Sequence, residues 1–334
     1  MSRTMQAIVF DEPGDEGVLQ LGHVPVPELL PTSVRIKVEA AGVNRADIMQ
    51  RLGEYPPPEG SSEILGLEAA GTISEVGSAC TGDWKVGDRV MALCSGGAYA
   101  EEVVVDAGSI MKVPESWKMV EAAGFMEVTL TAYLNIFQIG GANKGKSVLI
   151  HGGGSGVGSQ AIAMCKAKGV TTFVTAGSDD KCERCLQRGA SYVLNYKTEK
   201  IVDLVKGMTK GKGVDVILDC VGAPYLEQNL ECLAMDGKVV YIGLMSGAVA
   251  DKANLGVLLR KRASLIGSTL RNRSLSFKAE LVAGLRKDFA DERKRGDIKP
   301  IIDKVVPLES AADAHRRMAG STHFGKIILN VKPV

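Results

Sequence analysis

The stretch VLIHGGGSGVGSQAI, residues 148–162, decides the fold. An apolar run ends at His151, glycines follow, and helical spacing resumes near Ser159. The glycines that matter are Gly153, Gly156 and Gly158, with Ser155 and Val157 between them. They form a G-x-x-G-x-G arrangement rather than strict G-x-G-x-x-G, but the mechanical need is the same. The turn must be tight, the backbone must approach a pyrophosphate, and the helix must begin close to the sheet. A helix N-terminus then offers free N–H groups and partial positive charge to phosphates.

A glycine string alone is weak; its surroundings make it specific. GVTTFVTAG (169–177), SYVLNY (191–196), VDVILDCVG (214–222) and KVVYIGL (238–244) follow, with helical segments between most of them. Short apolar strands alternating with helices predict a parallel sheet covered on both faces. SLIGSTL (264–270) is expected to close it.

Upstream the pattern differs. VRIKVEAAGV (34–43), EAAGTISEV (68–76), DRVMALC (88–94) and AEEVVVD (100–106) read as short strands between turns. YPPPEGSS (55–62) must be a loop, because three consecutive prolines permit neither helix nor central strand. EAAGFMEVTLTAYLNIF (121–137) has helical spacing. In the tail, KAELVAGLRKDFADERKRGDIKP (278–300) alternates acids and bases and reads as a solvated helix face. GKIILNV (325–331) is a strand that could rejoin the β-rich first half.

The totals agree. A chain of 334 residues suggests two domains. With 40 basic and 39 acidic residues, net charge is +1, so no global field draws the protein to nucleic acid or a membrane. The seven cysteines, an odd count, read as reduced thiols. MSRTMQAIVF lacks a long apolar run, so no secretory signal and a cytoplasmic location are expected, with no transmembrane helix.

The second strand of the parallel sheet ends in VTAGSDDK (174–181). A site for NAD usually carries an acid there to hold the ribose 2′-hydroxyl. Ala176 and Gly177 occupy that place, Ser178 can donate a hydrogen bond, and Lys181 can pair with a 2′-phosphate. NADPH is therefore the expected cofactor. Asp179 and Asp180 would oppose a phosphate if they pointed inward; they are expected instead to cap the next helix, where acids are favoured. Cys182 and Cys185 form a C-x-x-C, read as ordinary helix positions because no second pair exists.

Taken together, NRADIMQRLGEYPPP (44–58), ILGLEAAG (64–71), the glycine turn, VTAGSDDK, LNYK (194–197), ILDCVG (217–222) and HFGKIIL (323–329) give the chain a family likeness. It resembles the zinc-free quinone oxidoreductases, the zeta-crystallin-like branch of the medium-chain dehydrogenase/reductase superfamily. The resemblance implies an α/β fold. A GroES-like β-rich domain spans 1–123 and 271–334, and a Rossmann doubly wound parallel-sheet domain spans 124–270. It also implies a homodimer joined through the last Rossmann strand.

Zinc-dependent relatives need a cysteine in A-G-x-C-x-x-D and a histidine in G-H-E. Here those positions hold Asn44 and Leu67, neither a good zinc ligand. No metal is expected. Without a strong Lewis acid, alcohol oxidation is disfavoured, whereas a quinone accepts hydride readily and delocalises the resulting charge. The resemblance places Tyr55 beside the acceptor, as a hydrogen-bond donor or merely packed on its prolines. It places Asn44 near the nicotinamide or substrate, unless it only shapes the turn. It also implies cofactor contacts from Thr131, Tyr196, Gly243, Leu244 and Lys326, the last reaching a phosphate. The expected activity is NADPH-dependent quinone reduction, by hydride or single electrons, with solvent supplying the proton. Reduction of an activated C=C bond is the alternative enzyme, and a non-catalytic NADPH-binding protein is the alternative class.

Overall fold

The computed structural model describes residues 3–331. The chain divides into two compact units. One takes the chain up to Leu130 and from Leu270 onward; the other is Thr131–Thr269.

The second unit is built on six strands, all parallel. Their spatial order is Tyr192–Asn195, Thr171–Ala176, Ser147–His151, Val214–Asp219, Leu233–Tyr241 and Ser264–Gly267. Numbered by their order along the chain, these strands run 3-2-1-4-5-6. The chain first builds outward to one side of Ser147–His151, then returns and builds to the other. Between that strand and Val214–Asp219 the connections diverge, and a sheet of this kind receives its ligand outside the carboxyl ends of the strands there. Val148, Leu149 and Ile150 are all fully buried. That is why this strand reads as an unbroken apolar run rather than an alternating one.

One boundary differs from the sequence reading. The helix after the glycine turn is Gly156–Ala167, so it begins three residues before Ser159. Ser155 caps it, its Oγ accepting from the Gly158 N–H at 2.9 Å. The cap outweighs the poor intrinsic helix propensity of two glycines in the first turn.

In the first unit the central strand is Ser33–Gly42. It pairs antiparallel with Glu68–Val76, Glu102–Asp106 and Lys326–Asn330. The last segment of the chain therefore completes the sheet that the first segment begins. Arg89–Leu93 and Ile110–Lys112 extend the sheet on one side, and Ile302–Pro307 on the other. Residues 55–62 form a loop. The charged tail folds as two helices, Leu275–Asp288 and Ala290–Arg295, broken at buried Phe289.

Candidate functional site

The glycine turn of the second unit has no room for side chains. A Cβ at Gly153 would stand 2.2 Å from Val174 Cγ1, and one at Gly158 would stand 2.3 Å from the Gly152 carbonyl oxygen. Gly152 lies in the left-handed region, with φ +73°. The backbone N–H groups of Gly156 and Val157 have no acceptor among the described residues. Two free donors at the start of a 12-residue helix, beneath a turn stripped of side chains, suit a pyrophosphate.

At the carboxyl end of the neighbouring strand, Ser178 caps helix Asp179–Arg188 through the Lys181 N–H, at 3.3 Å. Asp179 and Asp180 do not cap; they follow the cap and are exposed. Asp179 Oδ1 accepts from Asn195 Nδ2 at 2.9 Å. Tyr196 is 47% exposed, and its hydroxyl lies against Gly177, where a Cβ would approach it to 2.8 Å. Gly177, Ser178, Lys181 and Tyr196 are thus gathered at two adjacent strand ends, with no acid at Ala176 or Gly177. Gly243 and Leu244 follow the fifth strand, and Leu244 is exposed. Thr131 is half-buried, and its carbonyl accepts from Asn135 Nδ2 at 2.8 Å. The Cys185 thiol is pushed up to about 12 and that of Cys182 is also raised, both chiefly by burial. That is opposite to the depressed value of a reactive pair.

In the first unit, Asn44 precedes helix Arg45–Arg51 and its backbone N–H donates to Asp47 Oδ2 at 2.7 Å. Its side-chain amide donates to the Gly42 carbonyl at 3.2 Å and to Glu68 Oε1 at 3.1 Å. Asp47 also accepts from the Gly66 N–H and the Tyr99 hydroxyl, and burial raises it to about 6. Leu67 is packed in the core. Among the described residues, no three His, Cys, Asp or Glu side chains are placed to hold a metal ion.

Lys326 corrects its expectation. It is 1% exposed, and its ammonium donates to the Val43 carbonyl at 2.6 Å and Asn44 Oδ1 at 2.7 Å, and pairs with Glu68 Oε1 at 2.7 Å. An ammonium has three donors, and all are committed inside the first unit, so none is left for a phosphate.

Tyr55 lies under Arg271, whose guanidinium carbon is 5.5 Å from the ring centroid. Arg271 is itself fixed by the Ser95 carbonyl at 2.9 Å and Gln50 Oε1 at 2.7 Å. A cation over the ring, rather than the prolines alone, orients the phenol. Its hydroxyl has no partner among the described residues. Burial, and then the charge of Glu127, raise its pKa, so it stays a donor at neutral pH.

Glu127 was not singled out from sequence. It sits in the first turn of helix Met126–Ala132, half-buried, with its backbone N–H donating to Glu68 Oε2 at 3.0 Å. Burial first, then repulsion from Glu68, raise its carboxyl to about 8. Its place inside an apolar helical pattern gave no hint of this, because Glu68 is 59 residues away.

Comparison with known proteins fits this arrangement. Residues 30–115 match the alcohol dehydrogenase GroES-like domain, and residues 156–284 match the zinc-binding dehydrogenase family. The chain is 34% identical to the 2-haloacrylate reductase of a Burkholderia species, covering 97% of this chain and 98% of that protein. It is 32% identical to the quinone oxidoreductase of Rattus norvegicus, covering 98% of each. The solved Escherichia coli quinone oxidoreductase complexed with NADPH superposes with a TM-score of 0.86 at 30% identity, covering 98% of this chain and 100% of that one. Among the described residues no helix is long and apolar enough to cross a membrane. With both halves matched and relatives aligned from end to end, the chain belongs to the medium-chain dehydrogenase/reductase superfamily, beside its quinone oxidoreductases.

Proposed function

We propose that this chain is an NADPH-dependent quinone reductase that works without a metal. The observation that carries the reading is the network at Asn44. Its amide is tied to Gly42, Glu68 and Lys326, so a Lys ammonium, not a metal, supplies the positive charge beside Glu68. When bound, NADPH supplies a hydride from its dihydronicotinamide ring. Gly153, Ser155, Gly156, Val157 and Gly158 hold the pyrophosphate. Ser178 and Lys181 take the 2′-phosphate, with Tyr196 beside it, and Thr131, Gly243 and Leu244 border the nicotinamide end. Tyr55 donates a hydrogen bond to the acceptor oxygen as charge develops on it. Asn44 holds the adjacent turn in shape. The open edge strand Ser264–Gly267, largely exposed, is the proposed dimer contact; sedimentation at micromolar concentration tests it.

An NADPH-oxidation screen over quinones, enals and aldehydes, with metal analysis of the same sample, tests the activity. Quinone turnover by metal-free protein is the expected result; turnover of aldehydes alone would refute it. Lys181→Ala is expected to weaken NADPH about tenfold or more while sparing NADH, since one charge-assisted hydrogen bond is lost. A second reading, reduction of an activated C=C bond, is favoured by the similarity to the 2-haloacrylate reductase. Tyr55→Phe separates the two: near-total loss on an enal, with quinone turnover kept, would select it.

A further inference from the structure

We propose that Glu127, not solvent, is the acid that delivers the proton to the reduced acceptor. The inference rests on the reading above that the chain reduces an unsaturated acceptor.

Three observations carry it. First, Glu127 lies among residues that are shut away from water: Met126, Thr129 and Leu130 are fully buried, whereas its own side chain keeps an open face. Second, it is joined to the network at Asn44. Its backbone N–H holds Glu68 Oε2, while Glu68 Oε1 holds Asn44 and Lys326. Third, its carboxyl has no hydrogen-bond or ion-pair partner among the described residues. The cations whose charge reaches it are engaged elsewhere. Lys278 Nζ donates to Ser95 Oγ at 2.8 Å and to the Arg271 carbonyl at 2.7 Å. Lys326 is consumed by Glu68, Asn44 and Val43.

The charges facing the carboxyl therefore work unevenly. Glu68 and Asp47 repel its ionised form, Lys326 and Lys278 attract it, and burial exceeds them all. The group rests near 8, neutral at pH 7 and close to the value at which a general acid is most effective. Once ionised, above about 8, it raises the phenol of Tyr55 and the guanidinium of Arg271, so the acid and the oxyanion donor belong to one electrostatic neighbourhood.

The step balances. The dihydronicotinamide is the two-electron reductant, and hydride addition leaves the acceptor as an anion. The carboxyl O–H of Glu127 breaks. A new O–H bond forms on a hydroquinone, or a new C–H bond forms at the α-carbon of an enolate. The carboxylate regains its proton from water through its open face; Tyr55 only donates a hydrogen bond. Near-total loss of enal turnover in Tyr55→Phe, with quinone turnover kept, would therefore make Tyr55 the acid and overturn this proposal.

Glu127→Gln preserves shape and removes the proton; Glu127→Asp keeps an acid of lower intrinsic pKa. In the wild type, kcat on the better acceptor is expected to fall as pH rises through about 8. The Gln variant should lose that limb and about a hundredfold or more in kcat on an enal, with KM for NADPH unchanged. The Asp variant should regain part of the rate, with the limb displaced to lower pH. Infrared difference spectra of the cofactor-free protein, wild type minus Gln, should show a protonated carboxyl at pH 7. An ionised carboxyl in those spectra, or an active wild type whose Gln variant keeps its rate and limb, overturns the proposal alone. A wild type inert toward both quinones and enals overturns the reductase reading and this proposal with it. If the Gln variant does not fold, an Asp variant whose limb stays in place overturns it.

Discussion

Lys326 shows how one side chain acquires a role that its neighbours along the chain do not announce. In HFGKIIL it is a lysine in an apolar strand, and a phosphate was the natural expectation. The strand turns it inward, onto a carboxylate that is 0% exposed. Replacing it with methionine leaves Glu68 as a buried charge without its cation. Lys326→Met is expected to cost about 3–5 kcal/mol in chemical denaturation, and adding Glu68→Gln should recover most of it. Asn44 was legible as a departure from a zinc ligand, because that argument needs only residue identity. What Asn44 touches was not, because Glu68 and Lys326 come from strands 24 and 282 positions away. Glu127 stayed hidden for the same reason: its protonation is set by residues brought to it only by folding.

At the scale of elements, the strand–turn–helix at residues 147–167 was readable because each part has a local cause. The strand follows from its apolar run and the turn from its glycines. The helix begins at Gly156 rather than near Ser159 because the Ser155 cap offsets the low propensity of the glycines behind it. Gly158→Ala tests the packing argument. Its methyl would meet the Gly152 carbonyl oxygen at 2.3 Å, a backbone atom that cannot swing aside. Calorimetry should show NADPH affinity reduced at least about tenfold, as the turn shifts and a pyrophosphate contact is lost. In the next helix, Ser178→Ala removes the acceptor for the Lys181 N–H and is expected to lower stability by about 1 kcal/mol. Ile302–Pro307 and helix Ala311–Ala319 escaped the sequence reading. Both are short, although Ser310 precedes the helix and Gly320 follows it, signals that mark a helix's ends.

Across the whole molecule, buried titratable groups set how stability varies with pH. His315 is pushed down to about 3 from its usual 6.5 by burial, and His151 is also lowered. Between those values the unfolded chain binds more protons, so these histidines make stability rise with pH up to about 6.5. Asp47 and Glu127 act oppositely. Their raised values mean the folded chain holds protons that the unfolded chain has lost. Their contribution is complete below about 4, and is lost through about 6 for Asp47 and about 8 for Glu127. Above 6.5 the histidine gain is exhausted and the Glu127 loss continues. Denaturation midpoints should therefore decline from pH 6.5 to 8, and Glu127→Gln should flatten that decline. A midpoint that rises over this interval would contradict the assignment. The strand order 3-2-1-4-5-6 was within reach of sequence, because parallel strands with crossover helices admit few arrangements. That the last strand rejoins the first half was expected; its register against Ser33–Gly42 was not legible, because the partners lie nearly 300 residues apart along the chain.

The contact between Lys326 and Asn44 also bears on metal binding. Introducing a zinc-ligand pair with Asn44→Cys and Leu67→His would set a dication beside an ammonium held 2.7 Å from the very atom replaced. Two positive centres a few ångströms apart repel strongly in a protein interior. The double variant should bind zinc more weakly than a triple variant that also replaces Lys326 with a neutral residue, as competitive chelator titration would reveal. On this geometry, building a zinc site here takes three substitutions rather than two.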